Sequence, residues 1–194
     1  GFLLLGASCS KENEPVQTVE GVTVTIAAQS DLQTRTSLPV YNGDYGNNLS
    51  GVQHVTDVYL YIYEAGTNGE CKARFNVGWR EHFDQLPTET AAMQYTFAYP
   101  FTVGKTYRLV AVGVDGATEQ DNMPDYDGMN SIETYGLPES IEIGSKLTDP
   151  ITLQEGKTPT DMAHSEFFTG FVDFTPKSES DKNIGEINLW RRVA

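Results

Sequence analysis

The fold class of this 194-residue chain is decided by the stretch Val55-Thr56-Asp57-Val58-Tyr59-Leu60-Tyr61-Ile62-Tyr63. Aromatic and β-branched residues dominate this stretch with a period of two, which predicts a central β-strand with one face in the core. Turn residues follow at Gly66-Thr67-Asn68-Gly69, and the run from Arg74 to Trp79 then returns along the first strand. The two runs together predict a β-hairpin.

Runs of the same kind recur along the rest of the chain and are predicted to be strands. They are Val22–Ile26, Tyr95–Tyr99, Tyr107–Val114, Ile141–Ile143, Ile151–Leu153, Ser165–Phe174 and Ile184–Val193. Tyr95–Tyr99 and Tyr107–Val114 are predicted to pair across a turn at Gly104, and Ser165–Phe174 to bend at Gly170. No segment has a 3.6-residue apolar period long enough for a major helix. The pattern therefore predicts an all-β fold, an antiparallel β-sandwich.

Composition limits the classes of partner. The formal net charge is −14 and the pI is about 4.4, so no nucleic-acid partner is expected. The acidic residues are spread along the chain, which is typical of a solvated surface. A chain of this length can bury a core without disulfides. Cys71 lies between a turn and an apolar run, and we interpret it as a small strand residue and not as a catalytic thiol.

The N-terminus resembles the end of a secretory signal. Apolar and small residues lead to Cys9, and a charged segment follows it. We interpret residues 1–9 as the remnant of a lipoprotein signal peptide with Cys9 as the lipidated residue, although Gly6 stands where such signals usually have Leu. An ordinary signal peptide with an incidental cysteine is the alternative. Residues 10–20 are predicted to be a polar tether and residues 21–194 one domain.

The sequence lacks recognisable catalytic and metal-binding motifs. His54, His82 and His164 have no ligand spacing, so no metal site is expected from them. The loop 115–128 has enough carboxylates for calcium but not the spacing of an EF-hand loop, so a solvated acidic loop is favoured. No nucleophile elbow, zinc-protease motif or phosphate-binding loop occurs in the sequence. The sequence predicts a protein that is not an enzyme and needs no cofactor.

Four tyrosines lie in polar, glycine-rich surroundings and offer a second functional reading. They are Tyr41, Tyr45, Tyr126 and Tyr135. Exposed aromatic rings can stack on sugars or anchor a partner, whereas strand tyrosines usually bury their rings. A surface glycan-binding lipoprotein module therefore stands as the alternative to the function that follows.

The order of several local motifs resembles a known family. They are the lipoprotein-like start, Thr34-Arg35-Thr36-Ser37, Val58–Tyr63, Tyr107–Gly113, Thr134-Tyr135-Gly136-Leu137-Pro138, Met162–Gly170 and Ile187–Ala194. In this order they resemble the N-terminal domain of fimbrillin-like proteins, the subunits and anchors of type V pili in Bacteroidetes. The resemblance implies a Greek-key, transthyretin-like β-sandwich, and a second such domain that is missing from this chain.

The resemblance also implies a mechanism. Polymerising family members are cut after an arginine, and a strand from a neighbouring subunit replaces the strand that is removed. Arg35 matches that arginine, cleavage would fall between Arg35 and Thr36, and Val22 to Ala28 would be the strand removed. Anchor subunits would stay uncut. We therefore expect a structural fimbrial subunit or anchor that mediates adhesion, with other fimbrial subunits and the cell outer membrane as partners.

Overall fold

The computed structural model describes residues 15–29, 55, 57–65, 68–83, 90–114, 116, 131–165 and 167–192. These residues form strands joined by turns, with three short helices. The strands are β1 Thr18–Val19, β2 Thr23–Gln29, β3 Asp57–Glu64, β4 Cys71–Asn76, β5 Thr90–Thr96, β6 Phe101–Thr102, β7 Tyr107–Val114, β8 Phe167–Phe174 and β9 Asn183–Arg191. The helices are α1 Trp79–Phe83, α2 Ser131–Tyr135 and α3 Pro159–His164. None of the described helices is long and apolar enough to cross a membrane.

Seven strands form one curled sheet in the order β4-β3-β7-β8-β9-β2-β5, and β1 pairs with β6 beside it. Strands β8 and β9 are paired only at Phe168–Arg191 and Thr169–Trp190, so the sheet folds over at this junction. The two halves, β4-β3-β7-β8 and β9-β2-β5, enclose a shared apolar core. This arrangement confirms the predicted all-β sandwich.

Gly170 lies at the junction between the halves, where β8 and β9 come very close. A Cβ atom at this position would lie 2.1 Å from the backbone oxygen of Asn188 and 2.8 Å from the side chain of Ile187. A backbone oxygen cannot be moved as easily as a side chain, so only glycine fits here. The predicted strand around Gly170 is confirmed, and close packing against β9 explains the glycine.

Strand pairing differs from the sequence prediction in two places. β2 and β9 run parallel, whereas the other pairings in the sheet are antiparallel as predicted. The predicted hairpin around Gly104 is wrong, because β5 pairs with β2 and β7 pairs with β3 and β8. The β3–β4 hairpin is confirmed. A turn sequence shows where the chain reverses, but the partner of a strand depends on apolar surface supplied from elsewhere.

A second apolar cluster covers the outer face of β3 and β7. On β3 it contains Tyr59, Tyr61 and Tyr63, which lie under buried residues of the segment 135–141. Strand β3 is therefore buried on both faces, and the prediction of one core face is wrong. Segments 141–143 and 151–153 are turns and irregular chain, not the predicted strands, and Ile141 contributes to this outer cluster.

Candidate strand-exchange site

Strand β2 lies inside the sheet and has a partner on each side. It pairs with β5 from Thr23–Thr96 to Gln29–Thr90, which is its whole length. On the other side it pairs in parallel with β9, ending at Ala28–Leu189. Because both backbone edges of β2 are hydrogen-bonded, the strand fills a slot between β5 and β9 and does not lie at an edge of the sheet.

The side chains of β2 alternate between the core and the outer surface. Val24, Ile26 and Ala28 are buried in the inner core, whereas Thr23 and Thr25 are partly exposed. This is the pattern that a period-two sequence dictates when one face of a strand is covered. The strand predicted at Val22–Ile26 is confirmed, and Val22, just before β2, is buried as well.

The chain that leads into β2 is also held in place. Val19 of β1 is buried and pairs with Phe101 of β6. The Val103 backbone N–H donates to the Gln17 carbonyl oxygen at 2.9 Å, which extends this pairing by one step. Residues 17–19 lie near the end of the predicted tether, so this part of it packs on the domain. The whole segment 17–29 thus forms one structural unit with β5, β6 and β9.

The segment that the family resemblance marks for removal, Val22 to Ala28, coincides with β2 and the residue before it. The predicted lipidation residue Cys9 and the predicted processing residues Arg35 and Thr36 lie outside the described residues. So does the acidic loop 115–128, apart from Gly116. These sites therefore stay predictions.

Among the tyrosines considered for sugar stacking, only Tyr135 lies in the described part of the chain. Tyr135 is buried, its ring centroid is 5.3 Å from that of Phe167, and burial raises the pKa of its hydroxyl. It is a core residue, so the interpretation as an exposed ring is wrong for it. The described residues contain no cluster of three or more potential metal ligands.

Cys71 begins β4 and is buried, and burial raises the pKa of its thiol. A raised thiol pKa disfavours the nucleophilic thiolate. The interpretation of Cys71 as a structural strand residue is confirmed.

Two exposed aromatic residues were missed by the sequence analysis. Phe171 on β8 is 58 % exposed and Trp190 on β9 is 48 % exposed. Each lies on the strand face that otherwise carries polar residues: Phe171 alternates with Thr169 and Asp173 on β8, and Trp190 follows Asn188 at the alternate position of β9. An aromatic residue at a solvent-facing strand position was the available signal. From the sequence, both residues are predicted only to be parts of strands.

The family comparison agrees with this architecture. Residues 24–194 match the family of fimbrillin-A associated anchor proteins Mfa1 and Mfa2. The chain belongs to this family. The match begins within β2 and includes every later strand of the sandwich. The fimbrillin-like resemblance seen in the sequence motifs is therefore confirmed.

A structural comparison gives a distant similarity to the crystal structure of a candidate polysaccharide-binding protein from Bacteroides thetaiotaomicron VPI-5482. The TM-score is 0.36 and the sequence identity is 15 %, over 88 % of this chain. The matched region is 47 % of that protein, so this chain spans about half of its length. Among curated proteins, none is similar enough to this chain to count as a relative.

Proposed function

We propose that this chain is a lipid-anchored component of a surface fimbria and that it joins a neighbouring subunit through β-strand complementation. The role is one of binding and anchoring, without catalysis. Membership of a family of fimbria-associated anchor proteins supports this proposal. Cys9 is the proposed lipid-bearing residue, and the outer membrane at the cell surface is the proposed location.

The observation that carries the proposal is the slot between β5 and β9. It presents hydrogen-bonding groups on two sides and an apolar floor, and β2 fills it with alternating buried side chains. Strand addition requires this combination, because the backbone provides affinity while alternating pockets provide specificity. A strand from another subunit with a similar pattern would satisfy the same groups.

Two variants of the mechanism differ in what happens to β2. In an anchor, β2 stays in its slot and the chain between β2 and Arg35 is left uncut. In a polymerising subunit, cleavage after Arg35 frees β2 for replacement. Val24 and Ile26 are buried and both edges of β2 are paired, so after cleavage β2 should leave its slot only when another strand replaces these contacts.

The lipid arm of the proposal can be tested with the two cysteines of the sequence. Cys9→Ser should move the protein, with any attached fimbriae, from the outer-membrane fraction to the medium, since acyl chains contribute about 0.8 kcal/mol per buried methylene. Cys71→Ser is the matched control and should fractionate like the wild type, because Cys71 is buried in the sandwich. Equal membrane retention of wild type and Cys9→Ser would contradict lipidation at Cys9.

Proteolytic cleavage after Arg35 is tested with a separate pair of variants. If the chain polymerises, Arg35→Ala should block cleavage and the formation of multimers by a trypsin-like protease. Arg74→Ala, at an exposed arginine on β4, should leave both unchanged. If limited digestion cuts after Arg35 and the product stays monomeric with β2 bound, the anchor variant holds and polymerisation by this route does not.

A further inference from the structure

A cleft lies on the outer face of β7 and β8, beneath the segment 140–151. Its volume is about 140 Å³. Residues of both polar and apolar character line it, among them Tyr63, Ser145, Lys146, Asp149, Phe167 and Thr169. A concave site with an apolar floor and a few convergent polar groups is the usual form of a small-molecule site.

The exposed rings of Phe171 and Trp190 adjoin this cleft. Val110, which lines the cleft, pairs directly with Phe171, and Thr169, which also lines it, pairs directly with Trp190. Directly opposed residues on one sheet face have Cβ atoms about 5 Å apart. The two rings therefore extend the cleft into an open shelf on the same face of the sheet.

Charged neighbours hold the Phe171 end of the shelf in a fixed arrangement. Asp173 accepts two hydrogen bonds from Arg108, at 2.8 and 2.9 Å, and the Arg108 guanidinium lies 4.4 Å from the centre of the Phe171 ring. A bidentate pair fixes the plane of a guanidinium, and the guanidinium in turn restrains the ring. One face of Phe171 is covered in this way, and the side chain is still mostly exposed.

Hydrogen-bonding groups surround the rest of the shelf and cleft. The Arg192 Nε donates to the Thr169 hydroxyl at 2.6 Å, and no carboxylate of the described residues pairs with this guanidinium. In the cleft, an Asp149 carboxylate oxygen accepts from the Lys146 backbone N–H at 2.7 Å, while the Lys146 ammonium makes no ion pair within the described part of the chain. Hydrogen-bond donors and acceptors, including positively and negatively charged side chains, thus border the aromatic surface.

We propose that this cleft and shelf bind a carbohydrate chain, with one sugar ring in the cleft and the next ring stacked on Phe171 or Trp190. A sugar ring has an apolar C–H face and a rim of hydroxyl groups, which matches aromatic surface bordered by donors and acceptors. This binding function is separate from strand complementation, because it uses the outward-facing side chains of Phe171 and Trp190, whereas the slot uses the inner core and the backbone edges of β5 and β9 that face β2.

Other classes of ligand fit the site less well. A peptide strand would need a free backbone edge beside the cleft, but β7, which lies beneath the cleft, is paired along its whole length with β3 on one side and β8 on the other. A nucleic acid would be repelled by the net charge of −14. An acyl chain would place hydrocarbon against the Lys146 ammonium and the Asp149 carboxylate, which line the cleft, and burying charged groups in this way is unfavourable.

The test is native affinity electrophoresis of the full chain in gels that contain dextran, galactomannan, xyloglucan or α-mannan. At least one polysaccharide should retard the wild type, and Trp190→Ala and Phe171→Ala should each weaken that retardation about tenfold or more, as truncation of an aromatic hot spot does. Val16→Ala is the control, because Val16 is an apolar residue that is 74 % exposed and does not line the cleft. Thermal unfolding should show that all three variants fold like the wild type.

Three outcomes would overturn the proposal. The first is that none of the four polysaccharides retards the wild type. The second is that both aromatic variants are retarded as strongly as Val16→Ala. The third is that the two rings are needed for binding to anionic lipid vesicles and for no polysaccharide. None of these outcomes bears on Cys9 or on the β2 slot, so the fimbrial proposal is tested separately.

Discussion

Removal of β2 is the sharpest perturbation of the proposed slot. We consider a variant that lacks residues 1–29. Among the described residues, it loses six buried apolar residues, Val19, Val22, Val24, Ile26, Ala27 and Ala28, of which the three valines and the isoleucine have the larger side chains. Burial of each of these four larger side chains contributes about 1.5–3 kcal/mol, so the four contribute roughly 6–12 kcal/mol, an upper estimate because unfolded chains already bury some surface. Whole domains are stable by only about 5–15 kcal/mol.

The truncated chain should therefore not fold by itself at 25 °C. The hydrogen-bonding groups of β5 and β9 that face β2 would also lose their partners, which adds to the destabilisation. A synthetic peptide of residues 15–29 should restore the fold, with an affinity of about 1 µM if some 8 kcal/mol of the interaction survives the cost of association. Far-UV circular dichroism and cooperative urea unfolding report the rescue.

Peptide variants make the test specific for the slot. An Ile26→Asp peptide should fail, because it places a charge in the inner core. A Thr25→Ser peptide is the matched control and should work, since Thr25 is partly exposed on the opposite face of the strand. The reasoning is refuted if the truncated chain unfolds cooperatively with near-wild-type stability, or if the Ile26→Asp peptide rescues it as well as the native peptide.

Three further predictions concern single substitutions. Gly170→Ala should destabilise the fold by about 2 kcal/mol or more in urea unfolding, because the new Cβ would meet the Asn188 backbone oxygen at 2.1 Å; an unchanged midpoint would contradict the close approach. Burial raises the pKa of Tyr63 from 10.0 to about 12, so the stability it contributes is present below pH 10 and falls by up to about 3 kcal/mol as pH rises to 12. Tyr63→Phe should flatten that alkaline loss, and an identical pH profile would refute the assignment. The hydrogen bond from Arg108 lowers the pKa of Asp173, so the stabilisation that this ion pair gives is lost as the pH falls through the lowered pKa. In Arg108→Ala, the pKa of Asp173 measured by NMR titration should rise towards its ordinary value of about 3.9. An unchanged pKa would argue against the ion pair.

Local sequence patterns were enough to predict most strands and the fold class. The alternation in Val22–Ile26 and the aromatic run Val55–Tyr63 correspond to β2 and β3, and the glycine turn after Tyr63 predicts the β3–β4 hairpin correctly. These signals are local, because side-chain period and turn chemistry act over a few residues. The order of the motifs also indicated the family that the whole-chain comparison shows.

Only the tertiary structure decided which strands pair and which faces are covered. The parallel pairing of β2 with β9 joins residues more than 150 positions apart, and no local pattern specifies it. The turn at Gly104 predicted a hairpin that does not form, because β7 is buried between β3 and β8. The sequence therefore predicted that Val22–Ile26 forms a strand, but it did not predict that this strand lies between β5 and β9.

The same limit applies to the surface. Tyr135 and Phe171 are both aromatic residues next to glycine, yet the first is buried against the outer face of the sheet and the second is exposed. The difference arises because the segment 131–151 covers β3 and part of β7 and leaves the Phe171 end of β8 open. A sequence determines which strand face a side chain occupies, but the exposure of that face depends on what packs over it, and that contact exists only in the folded chain.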